Sequence, residues 1–141
     1  MTTRSVLFAV LAAASLPAAA QNMQPGQWQF TTTMTSPTMS QPQVGTISKC
    51  VSKAEADDPP GFMGGDNAAG CVLTRGASAP GSHSWTIACE KQGVTGTGKA
   101  TYDLTRLDSE IRMTVTMKEG GQKIEMTNRT QGRYIGPCPA K

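Results

Sequence analysis

Cys71-Val72-Leu73-Thr74-Arg75 and Trp85-Thr86-Ile87-Ala88-Cys89 decide the fold. Between them lies Ala79-Pro80-Gly81, a turn signal. Folded antiparallel across that turn, Cys71 faces Cys89, Leu73 faces Ile87 and Arg75 faces Trp85. All six share one face, because strand side chains alternate with period two. Directly opposed cysteines can meet disulfide geometry, and a loop of this length contributes on the order of 3 kcal/mol when closed.

Working outward, Cys50 and Cys138 remain near the two ends of the rest of the domain. Four cysteines allow three pairings. The hairpin register favours Cys71 with Cys89, which leaves Cys50 with Cys138 closing a long loop, worth about 4–5 kcal/mol in the same chain-entropy treatment.

The other strands follow from alternation. Gln27 to Met34 offers Trp28, Phe30 and Met34 to one face, after a lead-in to about Pro25 that reads as disordered. Ser36 to Pro42 suits a turn, and Val44 to Val51 returns. Ser52-Lys53-Ala54-Glu55 fits a capping box for one helical turn, stopped by Asp57-Asp58-Pro59-Pro60. A Gly-, Asp- and Pro-rich surface loop runs on to Gly70. Later, Ala100, Tyr102 and Leu104 alternate with polar residues, and a turn is expected at Arg106 to Asp108. Ile111, Met113, Val115 and Met117 form the next apolar set. Gly120-Gly121 reads as a two-residue hairpin turn, which sets Met117 opposite Ile124 and Val115 opposite Met126. Thr127 to Ile135 extends the last strand. The expected fold is all-β: an antiparallel meander of about seven strands, curled into a small barrel or open half-barrel. Two disulfides hold it, with at most one short helix near residues 52–57.

Met1 to Ala20 has the pattern of a signal peptide: Arg4, a short apolar stretch, Pro17 and Ala18-Ala19-Ala20 before Gln21. Cleavage near Ala20 leaves residues 21–141 as a single disulfide-linked domain in the periplasm or outside the cell. Cysteine pairing suits that oxidising setting. No later stretch is apolar enough to cross a membrane. The formal net charge of +3, one unit of which is Arg4, is too small and too evenly spread to argue for nucleic acid.

No group of residues assembles a recognisable reaction centre. Gly93 to Ala100 approaches a phosphate-binding loop, but Ala100 replaces the required hydroxyl residue and a strand follows where a helix is needed. His83, the only histidine, is read as a solvated residue beside the hairpin turn. No nucleophile or orienting acid can be assigned to it, and one histidine is too few for zinc. Asp57, Asp58 and Asp66 lack the ligand spacing of a calcium loop. Met113, Met117 and Met126 fall on core-facing positions, where Met fills space. Glu110 and Glu125 read as solvated strand charges, and Asn128-Arg129-Thr130 as a chance sequon on a strand.

The landmarks, taken in order, are Pro25-Gly26-Gln27-Trp28, Cys50, Gly70-Cys71, Trp85 to Cys89, Thr95-Gly96-Thr97-Gly98 and Gly132-Arg133-Tyr134-Ile135-Gly136-Pro137-Cys138. This series resembles a group of small exported bacterial proteins catalogued as a domain of unknown function. The resemblance covers nearly the whole mature chain and implies export, the cysteine framework and an all-β fold. It implies no activity. Gln29 and Pro137 stand where acids are frequent in that group, so no charged site is carried over.

These readings lead to a non-enzymatic exported β-domain without cofactor or metal. It would bind a small apolar ligand or an envelope protein. Trp28, Leu73, Ile87, Met113 and Val115 are the expected ligand-lining residues. A filled interior would favour a protein partner at an exposed sheet edge. The alternatives are an envelope hydrolase with an unrecognised site, and copper handling through methionine thioethers.

Overall fold

A computed structural model describes residues 22–59 and 70–140. The leader expected at residues 1–20 and most of the loop expected before Gly70 lie outside the described residues. Seven strands form one antiparallel sheet: β1 (Gly26–Thr35), β2 (Gln43–Val51), β3 (Cys71–Ala79), β4 (Ser82–Cys89), β5 (Val94–Tyr102), β6 (Arg106–Thr116) and β7 (Lys123–Gly136). Their order is β2-β1-β7-β6-β5-β4-β3. The sheet is open, with β2 and β3 as its edges, which leaves the half-barrel form of the expected fold and not the closed one. β3 to β7 follow one another as a meander, and β7 then pairs with β1.

The deciding hairpin has the expected register: Cys71 faces Cys89, Leu73 faces Ile87 and Arg75 faces Trp85. Both disulfides form as expected, Cys71–Cys89 with Cα atoms 4.0 Å apart and Cys50–Cys138 with Cα atoms 5.5 Å apart. The helix α1 (Lys53–Asp57) opens on the expected capping box. Ser52 Oγ accepts from the Glu55 N–H at 3.3 Å, and Glu55 Oε2 accepts from the Ser52 N–H at 2.8 Å.

Two turns differ from expectation. The β6–β7 connection spans Lys118 to Gly121, with Met117 N–H donating to Gln122 O at 2.8 Å. Val115 therefore faces Ile124 and Met113 faces Met126, two residues away from the two-residue-turn register. A shift of two leaves every side chain on its own face, so the apolar pattern cannot tell the registers apart. Gly120 and Gly121 supply left-handed φ values of +80° and +63°. The second difference is the β5–β6 turn, which lies at Asp103 to Thr105 and not at Arg106 to Asp108. Asp103 Oδ1 accepts from the N–H groups of Thr105 and Arg106 at 2.7 and 2.8 Å. This short carboxylate-closed turn puts Leu107 in the core at 3% exposure and Leu104 outside at 57%.

Ladder register divides the sheet into a polar outer face and a mainly apolar inner face. The packed end of the inner face holds Met23, Trp28, Phe30, Val51, Ala56 and Leu107, with Tyr102 and Tyr134 against them. The lead-in is not a loose tail here: Met23 is 2% exposed, Gln24 N–H donates to Leu104 O at 3.1 Å, and Trp28 Nε1 donates to Gln24 O at 2.8 Å. Small residues make room for the rings. A Cβ on Gly132 would lie 2.8 Å from the Phe30 ring, and one on Gly98 would lie 2.2 Å from the Trp85 ring.

The α1 segment is tied to both edges of the sheet. Lys49 of β2 pairs with Glu55 at 2.8 Å, and Arg75 of β3 holds Asp58 through two bonds of 3.1 and 2.9 Å. Ala56 is fully buried between these ties. One turn of helix thus caps the packed end of a face that a lone sheet would leave to water.

Candidate functional site

The edge strand β2 is the least protected element of the described chain. Every residue from Gln43 to Cys50 is exposed, and only Val51 is buried. An edge strand presents unpaired N–H and C=O groups, which proteins usually guard with prolines, bulges or several charges. β2 has no proline, pairs with β1 residue for residue over its whole length without a register shift, and carries Lys49 as its single charge. That charge is already engaged by Glu55, whose carboxyl is lowered from 4.5 to about 2, chiefly by the Lys49 hydrogen bond and then by the Ser52 N–H. Val44 and Ile47 are both 65% exposed. Alternation puts Ile47 on the inner side, opposite Phe30, with Val44, Thr46 and Ser48 on the outer side.

The opposite edge is built differently. β3 breaks register between Arg75 and Ser78, and a Cβ on Gly76 would lie 2.6 Å from Ser84 Oγ. A bulge and a held arginine blunt that edge. β2 is also anchored at its C-terminal end, by the Cys50–Cys138 bond and by the α1 capping box that begins at Ser52.

The five residues expected to line a ligand site share the inner face but separate into two groups. Trp28 is 0% exposed within the packed end. Leu73, Ile87, Met113 and Val115 are half-buried and lie on adjacent rows of β3, β4 and β6. Between them Gly96 leaves a gap that its neighbours take up. A Cβ there would meet Met113 Cγ at 3.0 Å and Ile87 Cγ2 at 3.1 Å. Open grooves of about 700 and 540 Å³ lie instead along the polar outer face of the sheet.

His83 overturns the solvated-loop reading. It is 4% exposed on β4, stacked on Trp85 at 5.0 Å between ring centroids and tilted against Tyr102 at 5.5 Å. Among the described residues, neither ring nitrogen has a hydrogen-bond partner. Burial pushes its pKa below the ordinary value; Arg75 lowers it further and Asp58 opposes the shift. Parity held the signal: His83 is in phase with Trp85, Ile87 and Cys89. Burial disfavours the charged ring, and among the described residues no carboxylate or hydroxyl bonds it, so the geometry assembles no acid–base pair around it.

Glu110 and Glu125 do not form a carboxylate pair. Glu110 accepts from Arg112 at 2.9 Å and from Arg129 at 2.8 Å, while Glu125 faces Thr114. Residues 94–102 form a strand throughout, so the near-match to a phosphate-binding loop lacks its helix. Among the described residues, no three His, Cys, Asp or Glu side chains gather as a metal site, and no helix is long and apolar enough to cross a membrane.

Together these features define a single-sheet, disulfide-linked β-module with one guarded edge and one open edge. Residues 23–138 match the family described as Protein of unknown function (DUF3617), and the chain belongs to that family. No curated protein and no solved structure matches it.

Proposed function

We propose that this chain is a non-enzymatic docking module that works outside the cytoplasm after removal of its leader. It accepts an extended segment of an envelope protein as an eighth strand on β2. The observation that carries this reading is the regular, exposed and almost uncharged β2 edge, held in place at its end by a disulfide and a capped helix. Strand addition supplies main-chain hydrogen bonds for affinity, and alternate side chains supply specificity. The incoming strand would place an apolar residue beside Ile47, next to Phe30, and small polar residues beside Thr46 and Ser48. The two disulfides and the α1 ties favour a preformed edge, which lowers the ordering cost of binding. A small apolar ligand is the second reading, favoured by the adjacency of Leu73, Ile87, Met113 and Val115.

Photo-crosslinking in intact cells tests the first reading. Probes replacing Thr46 or Ser48 should give adducts of one discrete mass, and a probe replacing Val72 on the blunted edge should not. Adding Val44→Lys and Ile47→Lys should abolish the β2 adducts. Equal adducts from Val72, insensitivity to the lysines, or an adduct that is only a second copy of this chain would overturn it.

A further inference from the structure

A second, separate feature lies on the polar face. Arg75, Arg112 and Arg129 each meet a carboxylate within ion-pair distance. Among the described residues, Arg106 and Arg133 do not, and these two face each other directly across β6 and β7. Like charges opposed in a sheet are destabilising. The fold accounts for most of the terminal motif: Gly132 clears the Phe30 ring, Gly136 takes φ +142°, and Cys138 closes a disulfide. Among the described residues it gives Arg133 no ion-pair partner.

Both arginines line the open groove of about 700 Å³, together with Gln29, Thr31, Gln131 and Asp108. Gln29 flanks Arg133 on β1. The next row along carries Thr31, Gln131 and Asp108, with Gln131 Nε2 donating to Asp108 at 3.3 Å. Asp103 stands near Arg106, but its Oδ1 closes the turn by accepting from Thr105 and Arg106 N–H groups. Two guanidiniums thus line the groove without an ion pair among the described residues, while two carboxylates, Asp103 and Asp108, line it beside them and offset the local charge. A multiply charged anion gains little from such a balance. A single carboxylate can take the guanidinium forks, and the amide, hydroxyl and carboxylate groups beside them suit sugar hydroxyls.

The geometry points to a binding groove for a carboxylate-bearing saccharide, with Arg106 and Arg133 gripping the carboxylate and Gln29, Thr31, Gln131 and Asp108 meeting the hydroxyls. The groove crosses β1, β7, β6 and β5, a width of roughly 15 Å at the usual strand spacing, which admits a short oligomer.

Amide and arginine side-chain NMR titration of the leader-free chain with trigalacturonate tests this. The controls are its methyl ester and inorganic phosphate at matched ionic strength. Trigalacturonate should shift signals of β6, β7 and the two guanidiniums. Arg106→Gln and Arg133→Gln, both at exposed positions, should each weaken binding at least tenfold, about 1.4 kcal/mol. Arg112→Gln should leave it within a factor of two or so. Equal binding of the ester, equal shifts from phosphate, no response to trigalacturonate, or retained affinity in both glutamine variants would overturn the assignment. The spectra of the unliganded variants establish that each is folded.

Discussion

Replacing His83 by phenylalanine should stabilise the domain and remove its sensitivity to mild acid. The imidazole is 4% exposed, with no partner for either nitrogen among the described residues, and burial disfavours its charged form. The unfolded ring titrates near the ordinary value of about 6.5. A histidine whose native pKa lies below its unfolded one leaves stability intact well above that ordinary value. As pH falls through it, the unfolded state takes up a proton that the native state refuses, and stability declines until the native ring also titrates. By about pH 5 this linkage removes at most about 2 kcal/mol. Glu55, Asp103 and Glu110 all have lowered values, so they remain charged through the same window and contribute little to the slope. His83 is the sole histidine, which makes the assignment unique. Phenylalanine keeps the stack on Trp85 and the tilted contact with Tyr102 and removes two unsatisfied polar atoms, a gain of about 1 kcal/mol at neutral pH. Urea unfolding of both proteins at about pH 7.5 and about pH 5 measures the two terms. Equal losses of stability between those pH values in the two proteins would refute the reasoning.

Replacing both Cys71 and Cys89 by alanine should lower unfolding stability by about 3 kcal/mol in denaturant, with the hairpin register retained by the Leu73–Ile87 and Arg75–Trp85 pairs. Gly98→Ala sets a Cβ 2.2 Å from the Trp85 ring; a loss of about 1–3 kcal/mol and an altered near-ultraviolet tryptophan signal are expected. Leu107→Ala empties a core position that is 3% exposed and should cost about 2–5 kcal/mol in chemical unfolding. Glu55→Gln removes the ion pair with Lys49, whose partners are 46% and 33% exposed, so it should cost no more than about 1 kcal/mol. That contribution is present above the ordinary 4.5 and is lost as pH falls toward about 2, so the two proteins should converge in acid.

Most of the strand plan was legible because period-two alternation survives in nearly every segment, and because opposed cysteines fix one hairpin without help from the others. The capping box was legible for the same local reason: Ser52 and Glu55 satisfy each other within four residues. What could not be read locally depended on contacts distant in sequence. The β6–β7 register differed by two residues, a change that keeps both faces and so leaves no trace in the apolar pattern. The Asp103 turn was missed because Leu104 continues the alternation of β5, although its carboxylate-closed geometry ends the strand first. Met23 and Gln24 are ordered by Leu104 and Trp28, partners far away or on the next strand. The expected ligand-lining residues share a face by alternation, yet alternation does not say that Trp28 sits in the packed end while Leu73, Ile87, Met113 and Val115 sit apart from it. The exposure of β2 follows from strand order, which no single strand encodes. The pairing of Arg106 with Arg133 likewise needs the β6–β7 ladder.

The docking account meets its most direct test in hydrogen exchange on β2 once the crosslinked partner segment is in hand. On adding that segment, the amides of Gln43 to Val51 that are not already bonded to β1 should slow markedly, while those of β3 keep their rates. Unchanged exchange along β2, or slowing confined to β3 or to the polar face, would contradict the account.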